Sequence, residues 1–301
     1  MARTILITGC EERYVPLVAG LIGSVEDMAR AHQVDIGLLD FGLSDETREA
    51  YTRRGIKLVT PEWDYDLKLF GTPPPNFFKA MTSRPHLRKH FPGYDRYLWM
   101  DADTWVQDWS AVELYLASAE SFSFAITPEV DRSYMPNYSN DSVIGWRHGC
   151  FLRCFDANIA NKLALYPTIN SGVFAATANS PVWDSWSRTL GQIFATKREA
   201  FFFAEQTALN ATIRQNGLRA AFLPSTCNWM CNRALPHCSE DGMELCEPNP
   251  PFQRLGVIHL TSNTKNGTWP LATVKGGTHM RSLRFGGHDK LRIGPDIVLP
   301  I

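Results

Sequence analysis

The chain reads as an α/β protein with a mostly parallel central sheet flanked by helices. Three observations predict this. Short apolar runs alternate with helical stripes through the first half of the chain. The runs at residues 4–8, 34–39 and 96–100 are rich in Val, Ile, Leu and aromatics, as strands covered on both faces are. Capping chemistry falls between the runs: Ser44 stands as an N-cap with Glu46 in the first turn, and Gly55 closes that helix. Such alternation builds a parallel sheet with helices on both sides.

In order, residues 4–8 form the first strand. Residues 14–30 form a helix with Leu17, Leu21, Val25 and Met28 on one stripe. Strands follow at 34–39 and 56–59. Residues 77–91 are helical, with Pro85 starting, kinking or interrupting the run, because proline lacks the N–H that a helix interior needs. Strands at 96–100 and 122–127 come next. Residues 131–166 break the pattern: Tyr134, Tyr138, Trp146, Phe151 and Phe155 mix with Arg132, Arg147 and Arg153. This reads as a helical, aromatic insertion packed on the domain, with an acceptor-binding lid as the functional alternative. A strand at 168–176, helices at 180–194 and 204–216, and strands at 218–223 and 256–260 complete a domain over residues 1–270. Residues 271–301 form a Gly-rich, locally basic tail, solvated or loosely docked.

Lys+Arg number 30 and Asp+Glu 31, so the chain lacks the electrostatic footprint of a nucleic-acid binder. Charged substrates must be met locally, by a metal or a few placed cations. The N-terminus reads as a strand and not as a signal peptide. No apolar run reaches the ~18 residues that span a bilayer. The expected compartment is the cytoplasm, with no transmembrane segment; peripheral contact of the basic tail with an anionic membrane is a weak alternative. Seven cysteines suit reduced, mostly buried thiols. Cys227, Cys231, Cys238 and Cys246 crowd together, but no pair has the C-x2-C spacing of a zinc site; one or two disulfides are the lesser option.

The most informative stretch is Asp101-Ala102-Asp103 at the end of the run 96–100. In extended backbone, residues i and i+2 share a face, so both carboxylates project from one strand end. Like charges so placed call for a cation between them, and a hard divalent metal is the natural one. A metal there can grip a diphosphate. A solvated Asp-x-Asp turn is the plain alternative. Ligands of open α/β sheets bind beyond the carboxyl ends of the strands, where this motif and Gly9-Cys10 both fall.

Three further segments follow in order: Ile169-Asn170-Ser171-Gly172-Val173-Phe174; Glu205-Gln206-Thr207-Ala208-Leu209-Asn210 with Leu223-Pro224 and Asn228; and Ile258-His259-Leu260 through Lys265. With Asp101-Ala102-Asp103 they resemble glycosyltransferase family 8, the retaining GT-A enzymes that include glycogenin and the bacterial lipopolysaccharide galactosyl- and glucosyltransferases. The resemblance covers roughly residues 5–269. It implies a GT-A fold and transfer of a hexose from a UDP-sugar to a glycan, polyol or other hydroxyl acceptor, with Mn²⁺ or Mg²⁺ as cofactor and retention of configuration.

Carried over residue by residue, the resemblance makes Asp101, Asp103 and His259 the metal ligands, a donor set that suits Mn²⁺. Lys265 matches the lysine that reaches the diphosphate, and Lys79 the basic residue upstream of the metal motif. Ala102, between the two acids, is counted with the residues that bind the donor nucleotide-sugar. Asn170, Ser171 and Gly172 match the donor-sugar loop: an amide, a hydroxyl and a glycine that permits close approach. Glu205 and Gln206 match the acidic-Gln pair at the sugar's reactive face. Gly9, Cys10 and Tyr14 match the base and ribose end, Tyr14 as a stack for uracil. The sequence departs from the family at Glu205, where Asp is usual, at Ser262, where glycine is common after the histidine, and at Lys265-Asn266-Gly267-Thr268-Trp269, where the family ends Lys-Pro-Trp.

Two other classes compete. A phosphatase of the haloacid-dehalogenase type also carries Asp-x-Asp after a strand, but Trp105 stands where that motif wants Thr, and the pair lies a third of the way along the chain. A nucleotide-sugar-binding module without turnover is the non-enzyme alternative, given the departures at Glu205 and Ser262.

Overall fold

The computed structural model describes residues 2–134, 141–197, 199–215, 217–287, 290–294 and 297–300, with the side chains of 141–142 and 290–300 left aside. Strands β1 (Thr4–Cys10), β2 (Val34–Asp40), β3 (Lys57–Val59), β4 (Arg96–Met100), β6 (Phe124–Pro128), β7 (Ile169–Thr177) and β8 (Ala221–Phe222) form one sheet in the order 3-2-1-4-7-6-8. β1 pairs in parallel with β2 and β4, β2 with β3, and β6 with β8; β7 runs against both β4 and β6. The sheet is therefore parallel except for one central strand, as expected from the sequence.

The apolar strands bury both faces. On one face Leu6, Leu38, Leu98 and Val173 pack under α1 (Val15–Ala31) and α5 (Trp109–Phe122). On the other, Ile7, Trp99 and Phe174 pack under α3 (Lys79–Ser83), α4 (Leu87–His90), α8 (Val182–Phe194) and α9 (Ala204–Gln215), with Trp183 and Trp186 filling the layer. Ser44 caps α2 (Asp45–Arg53) as expected, its Oγ accepting from Thr47 N at 3.2 Å.

Pro85 interrupts the 77–91 run. The α-helix stops at Ser83, and a 3₁₀ turn at Arg84–His86 leads into α4. Helix α5 and strand β5 (Thr104–Val106), to which the sequence reading assigned no element, follow the acidic pair; Asp108 caps α5 by accepting from Ser110 N. The strand expected at 218–223 shrinks to β8. The 131–166 insertion holds a 3₁₀ turn at Arg132–Tyr134, α6 (Asp141–Cys154) and α7 (Ala157–Leu163). Tyr138 of that insertion, and Asn216 at the expected end of α9, lie outside the described residues.

A second sheet, β5-β12-β9, stands at the carboxyl end of the first, with β9 at Trp229–Met230 and β12 at Val257–His259; between them in the chain β10 (His237–Cys238) pairs with β11 (Leu245–Cys246). Trp105, Trp229, Ile258, Leu271 and Leu283 form its core. The start of the C-terminal segment is docked on this core through Leu271 and Leu283, while its hairpin turn is exposed. β13 (Trp269–Ala272) and β14 (Thr278–Arg281) make a hairpin, Leu283 is buried, and its carbonyl accepts from Trp105 Nε1 at 2.8 Å. All seven cysteines are free and buried. Among the described residues, Cys227, Cys231, Cys238 and Cys246 contribute to no group spaced to hold a metal.

Candidate metal and donor site

Backbone pairing brings the distant segments together. β4 opposes β7 with Met100 across from Val173, so the next pair sets Asp101 beside Gly172, and Asp101 N donates to Gly172 O at 2.7 Å. The chain turns at Ala102 and leaves as β5. β5 runs antiparallel to β12, placing Thr104 opposite His259, and Leu260 N donates to Asp103 O at 2.8 Å. Residues over 150 positions apart thus meet because two short strands pair.

The ligand atoms of Asp101, Asp103 and His259 all lie within 4.8 Å of one another. His259 Nε2 is 3.4 Å from Asp103 Oδ1 and 4.0 Å from Asp101 Oδ2. Lys265 Nζ is 2.7 Å from Asp103 Oδ2 and lies 5.5 Å from the Tyr14 ring centroid. Burial disfavours the charged forms of all three partners. The attraction of Asp103 for both His259 and Lys265 outweighs it, and outweighs the repulsion between those two cations, so Asp103 is held well below the usual carboxylate range while His259 and Lys265 are raised.

The residues fit a divalent cation. Two carboxylates and an imidazole are a hard-to-intermediate donor set. The space between them is kept open by Gly172: a Cβ there would come 2.5 Å from His259 Cε1 and 2.9 Å from Asp101 Oδ2. That is the physical reason for glycine at this position.

These groups line a cleft of about 730 Å³ that also receives Asn170, Ser171, Glu205 and Gln206. Glu205 and Gln206 sit in the first turn of α9. Gln206 Oε1 accepts from Ser171 N at 3.0 Å, and Ser171 Oγ donates to Glu205 Oε2 at 3.1 Å. Glu205 is 2% exposed, and burial pushes its carboxyl up to about 7 despite the opposing charge of Arg84. Its Oε1 is buried with no hydrogen-bond partner among the described residues.

Arg84 is a site residue that the sequence reading missed. Its guanidinium joins the two acidic centres: Nη1 donates to Glu205 Oε2 at 2.5 Å and Nη2 to Asp101 Oδ1, while the plane lies over Trp99. The signal was present in the sequence as a basic residue directly before Pro85, the proline that interrupts the helical run. Lys79, matched by the resemblance to the upstream basic residue that meets the donor, lies at the start of α3, its Nζ 5.3 Å from the Trp63 ring centroid. Gly9 and Cys10 end β1 in the core. A Cβ on Gly9 would come 2.6 Å from Phe41, so packing explains that glycine, and the Cys10 thiol is buried and raised by burial. Ser262 has φ +56°, a left-handed conformation that explains why glycine suits this position.

No protein-family model and no curated protein matches the chain. Solved structures do. The galactosyltransferase LgtC in complex with donor and acceptor sugar analogues superposes with a TM-score of 0.55 at 14% identity, over 87% of this chain and 88% of that one. An active-site mutant of LgtC gives 0.54 at 14% identity over 94% and 92%. Mouse xyloside xylosyltransferase 1 in its apo form gives 0.51 at 14% identity over 87% and 99%. The fold is the GT-A fold of these glycosyltransferases. Within it, the chain carries an Asp-Asp-His group spaced to hold a metal ion.

Proposed function

We propose that the protein is a metal-dependent, family-8-like retaining glycosyltransferase that moves a hexose from a UDP-sugar to a hydroxyl acceptor. One observation carries this reading: Asp101, Asp103 and His259 converge in one cleft with Lys265 on one flank and Glu205-Gln206 on the other. The LgtC complex with donor and acceptor sugar analogues shows that the same fold accommodates such ligands in that protein.

Asp101, Asp103 and His259 would hold Mn²⁺ or Mg²⁺, which when bound neutralises the donor diphosphate and the charge growing on the leaving UDP. Lys265 supplies a second positive charge to the same leaving group. Tyr14, next to Lys265, offers a ring face to the uracil. Ser171 and Gln206 present a hydroxyl and an amide to the sugar. Ionised Glu205 would favour the oxocarbenium character that develops at the anomeric carbon. Glu205 Oε2 is already engaged by Arg84 and Ser171, an arrangement that suits electrostatic support better than nucleophilic attack. Retention then follows from front-face attack, the acceptor's proton passing to a departing phosphate oxygen. The acceptor enters past the insertion, where Trp146 meets Phe203 edge-on at the cleft wall.

The test is release of UDP from a panel of UDP-sugars with Mn²⁺, with and without EDTA. Turnover of one donor that EDTA abolishes supports the reading. No release from any donor, with acceptors of all three kinds present, overturns it.

A further inference from the structure

Behind His259 lies a chain of buried polar groups that metal binding does not itself require. His259 Nδ1 is 2.9 Å from Asn228 Oδ1. Asn228 Nδ2 donates to Asn170 Oδ1 at 3.0 Å, and Asn170 Nδ2 donates to Glu129 Oε1 at 3.1 Å. Glu129 Oε2 accepts from Arg233 Nη2 at 2.7 Å. His259, Asn228, Asn170 and Glu129 are all buried.

The chain has a fixed polarity. A carboxylate ion only accepts, so Asn170 must turn its nitrogen toward Glu129. The Gly172 N–H, which only donates, meets the other end of the same amide: it reaches Asn170 Oδ1 at 2.9 Å. Two independent neighbours thus settle the orientation of Asn170. Asn228 must then offer its nitrogen to Asn170 and its oxygen to His259. An oxygen facing Nδ1 requires the proton there, which in a neutral ring leaves Nε2 bare and turned toward the two aspartates.

We propose that Asn228, with Asn170 and Glu129 behind it, positions His259 as a ligand by holding it in the Nδ1–H tautomer. Asn170, which the sequence reading assigned to the donor sugar, has its amide oxygen committed to this relay. The relay fixes a proton on Nδ1 before a cation arrives, so the only proton that must leave the ring for a metal to bind is one on Nε2. Loss of the relay would let the proton move to Nε2, where Asp103 Oδ1 attracts it, and the ring would no longer present a lone pair. The inference takes its purpose from the metal-dependent reading, but its first measurement needs neither nucleotide nor acceptor.

The experiment uses full-length, metal-free protein labelled with ¹⁵N at histidine, at a pH where the ring is neutral. The His259 signals are identified by their absence in His259→Gln, and long-range ¹H–¹⁵N correlation reads the tautomer. The wild type should show Nδ1–H. Asn228→Ala should lose that preference and bind Mn²⁺ about 10–100-fold more weakly, measured by electron paramagnetic resonance of free Mn²⁺. Asn228→Asp, whose carboxylate still accepts from Nδ1, should keep the tautomer. Glu129→Gln, which must turn its nitrogen toward Asn170 to keep its oxygen on Arg233, should weaken the preference. An Nε2–H ring in the wild type overturns the proposal, as does an Asn228→Ala protein with unchanged tautomer and Mn²⁺ affinity. Should Asn228→Ala fail to fold, the wild-type tautomer and the Asp and Gln variants decide. A protein that shows the Nδ1–H ring yet releases no UDP from any donor refutes the transferase reading and leaves the relay standing.

Discussion

Lys265 Nζ sits 2.7 Å from Asp103 Oδ2, so a lysine already supplies part of the positive charge that the acidic pair needs. A divalent ion that ligates Asp103 must share or displace this contact, and the freed ammonium is then available to a diphosphate. Lys265→Met should therefore separate binding from turnover. Mn²⁺ affinity without nucleotide should rise about tenfold or more, since a hydrogen bond to a charged group contributes about 1.5–3 kcal/mol. Transfer should fall about 10²–10³-fold, the usual loss when a group that stabilises developing charge is removed. Manganese titration and kcat on the same preparation check both. Weaker Mn²⁺ binding in the variant would show that Lys265 does not compete for Asp103.

Gly172 offers a more local test. A methyl group there would stand 2.5 Å from His259 Cε1 and 2.8 Å from Asn170 Oδ1, contacts that real Cβ atoms do not make. Gly172→Ala should shift His259 or Asp101 outward, weaken Mn²⁺ binding by at least tenfold, and cost about 1–3 kcal/mol of stability, as overpacking does. Calorimetric Mn²⁺ titration with a thermal melt measures both. Wild-type affinity in this variant would mean that the space beside Gly172 is not the metal's.

The sheet was legible because its strands are near-continuous apolar runs and its helices carry ordinary caps, as β1, β4 and Ser44 show. The metal group was legible because Asp101 and Asp103 are local and His259 and Lys265 follow a recognisable spacing. What escaped depends on partners that only the fold brings near. Arg84 lies 17 residues before Asp101 in a 3₁₀ turn with no periodic signature. Glu129 sits just past the end of β6, and its role exists only because a bulge in the β6–β7 pairing brings Asn170 opposite Thr127. β5 and β12 have three residues each, too short for a pattern to declare itself, yet their pairing closes the site. Lys79, which the resemblance marks as a donor contact, has its Nζ over the Trp63 ring.

Arg84 is buried between Asp101 and Glu205, and the effect of removing it follows from what it leaves behind. Arg84→Met strands a buried carboxylate without its partner, which typically costs about 3–5 kcal/mol. Arg84→Lys should recover little, because a single ammonium cannot serve two carboxylates as a fork does. Adding Glu205→Gln to Arg84→Met removes the stranded charge and should restore a measurable part of the loss. Urea unfolding of the wild type, the two singles and the double closes the cycle. Strict additivity would show that Arg84 and Glu205 are not energetically coupled.

The raised carboxyl of Glu205 makes a prediction about pH with a definite sign. Unfolded, the group titrates near its ordinary 4.5; folded, burial lifts it to about 7, with Arg84 acting in the opposite sense. Between these values the folded protein binds more protons than the unfolded chain, so this group's contribution to stability falls as pH rises. The contribution is fully present below about 4.5 and is lost as pH passes through about 7. Metal-free wild type compared with Glu205→Gln isolates it, because glutamine keeps the shape and does not titrate. The stability difference, wild type minus variant, should be more favourable at pH 5 than at pH 8. A difference that is flat, or that grows with pH, would mean that Arg84 holds Glu205 ionised throughout, and the carboxylate would then be a permanent negative charge facing the sugar instead of one that switches on near neutrality.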